Sequence, residues 1–442
     1  MATTCCAPRP IVLPHPSRSW GITTAPGRRC PLLWRLQPCM GLPFVWRMLR
    51  ETGRAPGRGL PQWDSGGAAR VVGMARDVVV IGATVAGLTA ARRLASEGFG
   101  VTVLDPNPEG ASVGIGHGVS ACAHASTVAN MAAAYGPTSA HEHVRRNLAG
   151  MAEIRRVIAS GGVAHSEVTL QDHSLGFALA RELRDVAALI TDSGAEVELL
   201  EISDNHRSGA WLSSQAVALD PAVYGAALAS QAATAGAVIR YDTTVTHLQR
   251  RDGVSLVSHR NNLAWARELD VTRAAAVVDT LGISPWGRIA EVAPSQWVPV
   301  IRCRTAEPIN AVTLLAGPPV WMIRPDGDEV ILLGVKTSPE AYPGAAEELR
   351  RWATASLGAS EMREAHMVID PSDHGRPAAG ASAIPGGFYA RGNGRGELMN
   401  GTASGTWLAS LLIGSGQHDV ALPLSSRMRA QARSVGHRLR RR

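Results

Sequence analysis

The sequence lacks lysine almost completely and has no long apolar run. Lys336 is the single lysine among 44 basic residues, a bias that indicates a GC-rich coding sequence rather than a functional adaptation. No apolar run reaches the roughly 18 residues that a membrane-spanning helix needs. The N-terminus also lacks the apolar core and small-residue cleavage site of a secretory signal. We therefore expect neither a membrane nor a secreted protein.

Cysteine is scarce in most of the chain. Four of the six cysteines precede residue 40, which leaves Cys122 and Cys303 for the remainder. Two such cysteines provide neither a disulfide framework nor the ligand spacing of a zinc or iron–sulfur site. A reducing cytoplasm is the simplest compartment for such a chain.

Positive charge is concentrated at the two ends of the sequence. Residues 1–73 carry about +8, and residues 427–442 hold seven arginines and no acid. Residues 74–426 hold 35 acidic and 27 basic residues, so the body of the chain is acidic. A nucleic-acid-binding protein should carry a basic face on its folded part, so we expect no nucleic-acid partner. The basic tail, residues 416–442, is better explained as a solvated helix or frayed end.

The first 73 residues differ from the rest. They are rich in proline, arginine, glycine and tryptophan and show no sustained period of 2 or 3.6. We expect that Met74 is the true start and that residues 1–73 are upstream sequence read through in frame. A disordered extension and a targeting segment are the alternatives.

Residues 77–105 have the pattern of strand, glycine turn, helix and second strand. Residues 78–81 form a continuous apolar run, as in a strand buried on both faces of a parallel sheet. Residues 88–95 predict a helix, and residues 101–104 predict a second strand that ends at Asp105. This layout places a pyrophosphate on a helix N-terminus and a ribose hydroxyl on a carboxylate. It therefore predicts a dinucleotide site, with FAD as the favoured ligand.

The glycine turn departs from the usual fingerprint at one position. Thr84 occupies the place of the second glycine, where a side chain crowds the approach of the phosphates. Asp105 follows Gly82 by 23 residues, close to the expected spacing of about 20. A parallel αβ unit without a ligand is the alternative. The residues predicted to bind the cofactor here are Gly82, Ala83, Thr84, Val85, Ala86, Gly87 and Asp105.

The remaining patterns predict two interleaved domains. Helical patterns cover residues 139–160 and 181–192, and another helix starts at Asp220 or Pro221 and ends at Gly236. Residues 296–370 alternate as in an antiparallel sheet. We predict an α/β fold: a Rossmann-like FAD-binding domain interleaved with a smaller α+β substrate domain of mainly antiparallel sheet. The predicted FAD-binding segments are 74–160, 220–290 and 376–415, and the substrate-domain segments are 161–219 and 291–375.

Four stretches, in this order, carry a resemblance to a known family. They are the turn at residues 82–87, the small-residue loop 110–126, the apolar strand VVDTLGISPWG that reaches Gly282, and GFYARGNGRGELMNGTASG at residues 387–405. Residues 321–334 resemble the family's substrate-domain hairpin. With these stretches, the chain from residue 74 to about 415 resembles the FAD-dependent oxidoreductases of the D-amino-acid oxidase type, which include glycine oxidase and sarcosine oxidase.

The resemblance implies a cofactor, a reaction and further binding residues. FAD would take a hydride from the carbon of a C–N bond in an amine or amino acid, and oxygen or another acceptor would take the electrons. Glycines in the last stretch would let the backbone approach the flavin ring. The sequence carries no indication of oligomeric state. The additional predicted cofactor residues are Ser112, Gly282, Gly394, Gly396, Glu397, Leu398 and Met399.

Two arginines are candidates for the substrate side. Arg376 and Pro377 resemble the family's Arg-Pro pair, whose guanidinium binds the substrate carboxylate through two parallel hydrogen bonds. The similarity to the family is lost at Ala381 and Ser382, where the family usually has an acidic residue and a glycine. A surface salt bridge is the alternative role for Arg376. Arg324 is the second candidate, with support of the hairpin as its alternative role.

Other readings of the sequence remain open. His117, His124 and His374 are further candidates near the flavin, although a lone histidine is more often a packed or solvated residue. A degenerate flavin-binding relative without turnover would explain the departures from pattern. A flavin monooxygenase opens with a similar fingerprint, but we find no later Gly-Asp motif of the kind that it needs.

Overall fold

The computed structural model describes most of the chain after residue 75. The described residues are 76–113, 116–175, 180–204, 207–263, 269–281, 295–371, 373–382 and 384–415. The predictions for residues 1–73, for the basic tail 416–442 and for Gly282 lie outside these residues.

Seven helices and eighteen strands make up the described part. The helices are α1 (Val85–Ser96), α2 (Ala125–Tyr135), α3 (Pro137–Gly161), α4 (Ala180–Asp192), α5 (Pro221–Thr234), α6 (Tyr342–Leu357) and α7 (Glu397–Ser415). The strands are β1 (Asp77–Ile81), β2 (Gly100–Leu104), β3 (Val119–Ala121), β4 (His165–His173), β5 (Glu198–Asp204), β6 (Arg207–Leu219), β7 (Val238–Arg240), β8 (Thr243–Arg251), β9 (Val254–Asn261), β10 (Asp270–Ala274), β11 (Ala276–Asp279), β12 (Gln296–Arg304), β13 (Val312–Leu315), β14 (Val320–Asp326), β15 (Glu329–Gly334), β16 (Ser360–Ile369), β17 (Ala378–Ala381) and β18 (Gly387–Arg391).

A six-stranded sheet runs in the order β17-β18-β11-β1-β2-β7. Strand β1 is central and pairs in parallel with β2 and β11, so that Val79 lies opposite Thr102 and Val277. Val78 to Ile81 are all buried, which is why their sequence shows an uninterrupted apolar run. Only β17, at the edge, runs antiparallel to its neighbour. The parallel sheet predicted from residues 77–105 is confirmed.

Local sequence signals determine where helix α5 begins and ends. It begins at Pro221, where the missing N–H of proline costs nothing, and the Asp220 side chain accepts a hydrogen bond from the Ala222 N–H at 2.8 Å. The helix ends at Thr234, two residues before Gly236, whose φ of 104° favours glycine. Both the predicted start and the predicted stop are confirmed.

Helices α1 and α7 approach each other very closely. Gly405 on α7 lies against the backbone of α1, where a Cβ atom would collide with the carbonyl oxygen of Ala86. Gly401, one turn earlier, faces Val85, whose side chain would lie 3.2 Å from an added Cβ. The small residues of α7 therefore serve a packing role that a bulkier helix face could not fill.

A second, larger sheet is mainly antiparallel. Its strand order is β16-β12-β15-β14-β13-β4-β6-β3, and β5 pairs with β6. The pair β13 and β4 is parallel. Helix α6 covers part of one face, where Leu349 and Ala353 pack with Ile301 and Leu332. Strands β8 to β10 form a separate antiparallel sheet. The architecture is therefore the predicted α/β fold, in which a Rossmann-like domain is interleaved with a mainly antiparallel domain.

The loop expected over residues 110–126 is only partly a loop, and this expectation was wrong at its C-terminal end. Residues 119–121 form β3, which pairs antiparallel with β6, and α2 already begins at Ala125. Val119, Ser120 and Ala121 are all buried, so their backbone groups need partners. Pairing with β6 supplies them, together with His117 Nδ1 for the Val119 N–H. Within the described residues, no helix is both long and apolar enough to cross a membrane.

The contact between α1 and α7 can be tested with two glycines of the same helix. Gly405→Ala should lower the free energy of unfolding by about 1–3 kcal/mol, because the new methyl group meets the Ala86 carbonyl oxygen. Gly414→Ala is the matched control, since nothing lies within 4 Å of its added Cβ, and helix propensity should raise stability by up to about 1 kcal/mol. Urea unfolding followed by circular dichroism measures both. Equal stability of the two variants would contradict the close contact.

Candidate active site

The first turn of α1 presents backbone N–H groups that find no acceptor in the described part of the chain. Among the described residues, the N–H groups of Thr84, Val85 and Ala86 donate to no acceptor. An added Cβ at Gly401 would stand 3.4 Å from the Ala86 nitrogen, so the glycine keeps that amide uncovered. Unpaired amides at a helix N-terminus attract anions. This turn therefore fits the diphosphate of a dinucleotide.

The side chain of Thr84 is hydrogen-bonded to a second threonine, Thr280. The Thr84 hydroxyl donates to Thr280 Oγ1 at 2.9 Å and accepts from the Gly87 N–H at 3.1 Å. Thr280 in turn donates to the carbonyl oxygen of Ile81 at 3.0 Å. The threonine side chain is thus bonded to its own helix and to the residue after β11. A Cβ at Gly87 would collide with the carbonyl oxygen of Gly82, so glycine is required there.

Asp105 is fully buried and bonded to protein donors. Its Oδ2 accepts from the Ala83 N–H at 2.5 Å. Its Oδ1 accepts from the Asn107 N–H at 2.8 Å and from the Ser112 hydroxyl at 2.9 Å. The carboxylate therefore ties the glycine turn to the loop after β2. Ser112, which we predicted from the sequence to bind the cofactor, is hydrogen-bonded to this carboxylate. The ribose contact of Asp105 stays a prediction.

A cavity of about 400 Å³ lies between the start of α2, strand β14 and the turn that precedes α7. This size is within the range of small-molecule sites, about 300–1,000 Å³. Of the residues predicted to bind cofactor, Gly394, Gly396 and Met399 line it. Its charged lining residues are Arg395 and Lys336, and no carboxylate occurs among the described residues that line it. The cavity is therefore suited to an anionic ligand.

Arg395 is the most distinctive group in this cavity. Its Cζ atom lies 3.8 Å from the centre of the Trp321 ring, a cation–π contact. Within the described part of the chain, no acidic side chain pairs with it. Burial lowers the pKa of Arg395 to about 9, so the guanidinium is still charged at neutral pH. The fold thus holds an unneutralised positive charge against the cavity.

Three buried histidines near the cavity are neutral. Burial lowers the pKa of His117 to about 3 and that of His143 to about 4, and it also lowers the pKa of His124. His117 Nδ1 accepts from the Val119 N–H at 3.0 Å, so its proton is on Nε2. His124 and His117 pack edge-on against Trp321. At neutral pH the rings of His117, His124 and His143 add polarity but no charge. His374 lines the cavity as well.

Asp370 fixes the turn that carries Arg395. Its carboxylate accepts two hydrogen bonds from Arg391, each 2.9 Å, and one from the Gly392 N–H at 2.6 Å. Its carbonyl oxygen accepts from the Gly394 N–H at 2.9 Å. Asp370 directly follows β16, so the antiparallel sheet positions the turn before α7. The sequence analysis missed Asp370, although an acid directly after a strand is a detectable signal.

Glu397 opens α7 with a carboxyl group that is neutral at pH 7. Burial raises its pKa to about 8, and the nearby negative charge of Asp370 acts in the same direction. Its neighbours Leu398 and Met399 are buried in the core. A neutral carboxyl can donate a hydrogen bond, which an ionised carboxylate cannot.

Neither predicted substrate arginine lines the main cavity. Arg324 is only 7% exposed and donates to the carbonyl oxygen of His117 at 2.7 Å, which connects β14 to the residues before β3. Arg376 is exposed, and its Cζ lies 5.0 Å from the centre of the Tyr135 ring. It borders a separate pocket of about 30 Å³. The sequence analysis included the stretch that contains Arg395, residues 387–405, but did not name Arg395 as a candidate.

The parallel sheet with its anion-binding turn and the antiparallel sheet with its ligand-sized cavity define a dinucleotide-dependent enzyme. A family model described as "DAO: FAD dependent oxidoreductase" matches residues 77–411. The chain therefore belongs to this family of FAD-dependent oxidoreductases, and FAD is its cofactor. No curated protein matches the chain in sequence.

Solved structures share this fold at low sequence identity. L-proline dehydrogenase from P. horikoshii is 14% identical with a TM-score of 0.59, and the match covers 80% of this chain and 96% of that one. Glycine oxidase from Geobacillus kaustophilus is 16% identical with a TM-score of 0.58, covering 79% and 96%. L-amino acid deaminase from Proteus vulgaris is 16% identical with a TM-score of 0.57, covering 80% and 93%. These similarities show a common fold.

The raised pKa of Glu397 makes stability depend on pH. The folded protein keeps a proton on this carboxyl up to about pH 8, whereas the unfolded chain releases it near 4.5, so the free energy of unfolding falls as pH rises between these values. Glu397→Gln cannot ionise, so it should match the wild type near pH 4.5 and be more stable at pH 9. Chemical unfolding at both pH values measures this. Glu348→Gln, exposed on α6, is the control. A Glu397→Gln profile that follows the wild type at both pH values would contradict the assignment.

Proposed function

We propose that this protein oxidises the C–N bond of an amine or amino acid that carries a carboxylate, with FAD as the hydride acceptor. The observation that carries this proposal is Arg395, a charged guanidinium that lies on the wall of a ligand-sized cavity and pairs with no acidic side chain of the described residues. Such a group binds a carboxylate through two parallel hydrogen bonds and so fixes the substrate's orientation. The proteins with similar structures, which include a glycine oxidase and an L-amino acid deaminase, agree with this substrate class.

The cofactor can be assigned to residues at two helix starts. The N–H groups of Thr84 to Ala86 would hold the diphosphate, and the turn at Gly394 and Gly396 with the start of α7 would hold the flavin end. Gly401 contacts Val85, so α7 begins about one helical turn from the diphosphate site. One extended molecule can therefore reach both places. When bound, FAD supplies the hydride-accepting chemistry.

The domain bounds predicted from the sequence belong to the same proposal. All strands of the parallel sheet fall within the proposed FAD-binding segments 74–160, 220–290 and 376–415, and β12 to β16 fall within the substrate segment 291–375. Strand β3 is an exception, since it joins the antiparallel sheet from the first segment. It brings His124 and Trp321 to one cavity wall.

The protein's own groups would bind and orient the substrate. Arg395 holds the carboxylate, Trp321 forms an apolar wall, and the neutral His124 offers a hydrogen bond without competing for the anion. Oxygen or a second acceptor then takes the electrons. Cys122 and Cys303 are both buried free thiols, which suits the reducing cytoplasm that we propose as its compartment.

The purified full-length chain provides the direct test. We expect a yellow protein with a flavin absorbance spectrum, and anaerobic addition of a substrate amino acid should bleach it. A screen of amines and amino acids under anaerobic conditions identifies the substrate. A colourless preparation that takes up no FAD on reconstitution would remove the proposal.

A flavin-binding protein without turnover is the second candidate. The observation in its favour is Asp105, whose carboxylate is engaged by three protein donors where a ribose contact was expected. Tight flavin binding without bleaching by any amine in the screen would establish this second candidate.

Variants at two arginines separate the competing assignments of carboxylate binding. Arg395→Gln should lower kcat/KM by about 10- to 100-fold, since a charge-assisted hydrogen bond contributes about 1.5–3 kcal/mol. Arg376→Gln should change kcat/KM by less than about threefold, because Arg376 lies outside the main cavity. Steady-state kinetics measure both variants. A large loss in Arg376→Gln with little change in Arg395→Gln would restore the assignment made from the sequence.

A further inference from the structure

Lys336 is held at the edge of the main cavity by its neighbours. Val335 N–H donates to the carbonyl oxygen of Pro319 at 3.2 Å, and Thr337 exchanges two hydrogen bonds of 2.8 Å with Trp297. The backbone on both sides of Lys336 is therefore fixed by pairing within the antiparallel sheet. The lysine side chain lines the cavity and remains exposed, which places it at the cavity mouth.

Lys336 and Arg395 are both without an acidic partner. Among the described residues, neither cation takes part in a salt bridge, whereas many other arginines, such as Arg302 and Arg391, do. No carboxylate among the described lining residues neutralises them. Because the nearby buried histidines are neutral, these two cations dominate the charge of the cavity. A ligand with one negative charge would satisfy only one of the two.

We propose that the cavity selects substrates with two acidic groups, namely dicarboxylic amino acids or amines. This inference rests on the proposed function, because Arg395 takes the carboxylate next to the reacting C–N bond. The second carboxylate then reaches Lys336 at the mouth. Arg395 packs against Trp321, and Lys336 is the exposed cation of the same cavity, so one ligand with two acidic groups can engage both charges.

The diphosphate of the cofactor is the competing occupant for these charges. The N–H groups of Thr84 to Ala86 that suit a diphosphate belong to α1, and none of these three residues lines the cavity. Lys336, in contrast, follows β15 of the antiparallel sheet. The lysine is therefore available to a substrate while the α1 turn holds the cofactor.

Binding of unreactive acids tests the proposal without turnover. Glutarate and pentanoate have the same number of carbons but two carboxylates and one, respectively. The flavin-loaded full chain should bind glutarate about 3- to 30-fold more tightly than pentanoate, as measured by calorimetry. Lys336→Gln should lose this preference by weakening glutarate alone, and Lys336→Arg should retain most of it. Arg251→Gln, an equal charge change in an exposed turn of another sheet, is the matched control and should retain the preference.

The single lysine permits a second, independent readout. An amine-reactive ester can modify only Lys336 and the N-terminal amine, and peptide mass spectrometry separates the two sites. Glutarate should slow labelling of Lys336 at concentrations where pentanoate does not, while labelling of the N-terminus is unchanged. Protection by FAD alone, with no further effect of glutarate, would assign the lysine to the cofactor and overturn the proposal.

The outcomes distinguish this inference from the function on which it rests. Equal affinity for glutarate and pentanoate in the wild type, or a preference that survives in Lys336→Gln, overturns the dicarboxylate site even if amino acids bleach the flavin. If no amine bleaches the flavin but the preference exists and depends on Lys336, the proposed oxidation fails and the dianion site stands. In the amine screen, glutamate and aspartate should be better substrates than glutamine and asparagine.

Discussion

The close approach of α1 and α7 is the contact on which the rest of the site depends. Gly405 and Gly401 bring the two helix backbones together, so the start of α7 lies beside the first turn of α1. The N-termini of the two helices then border a common region. Side chains at either glycine would separate the helices and move the cavity turn away from the phosphate turn. The packing of these small residues thus determines the position of the cavity turn relative to the phosphate turn.

The charge of the cavity is opposite to that of the body of the chain, residues 74–426. The body of the chain has more acidic than basic residues, yet the cavity wall has two cations and no described carboxylate. Asp370 is close to this wall but is engaged by Arg391 and the backbone, so it positions the turn without neutralising Arg395. Burial lowers the pKa of His117, His124 and His143 and keeps these rings uncharged. An anion is therefore attracted to the cavity, although the body of the chain is net acidic.

The sequence predicted those parts of the fold that depend on local signals. The apolar run at residues 78–81 and the cap at Asp220 were sufficient because burial on both faces and helix capping leave direct traces in sequence. The site was less predictable. Thr280 acts through contacts with distant residues, which no local pattern records. The position of Asp370 directly after a strand is a detectable signal, but its partners Arg391 and Gly392 cannot be read from it. Arg376 matched a family motif, but a motif does not give the direction of a side chain, and the structure turns it towards Tyr135.

The bond between Thr84 and Thr280 has a consequence for how a ligand is received. It joins the turn after β1 to the residue after β11. Thr280 also donates to the carbonyl oxygen of Ile81, the last residue of β1. A glycine at position 84 would leave this loop free to adopt several conformations, and binding would have to select one of them. The threonine pair holds a single arrangement before any cofactor arrives, so less conformational entropy is lost on association. With threonine instead of glycine at position 84, the turn after β1 is less adaptable but is already ordered for the cofactor.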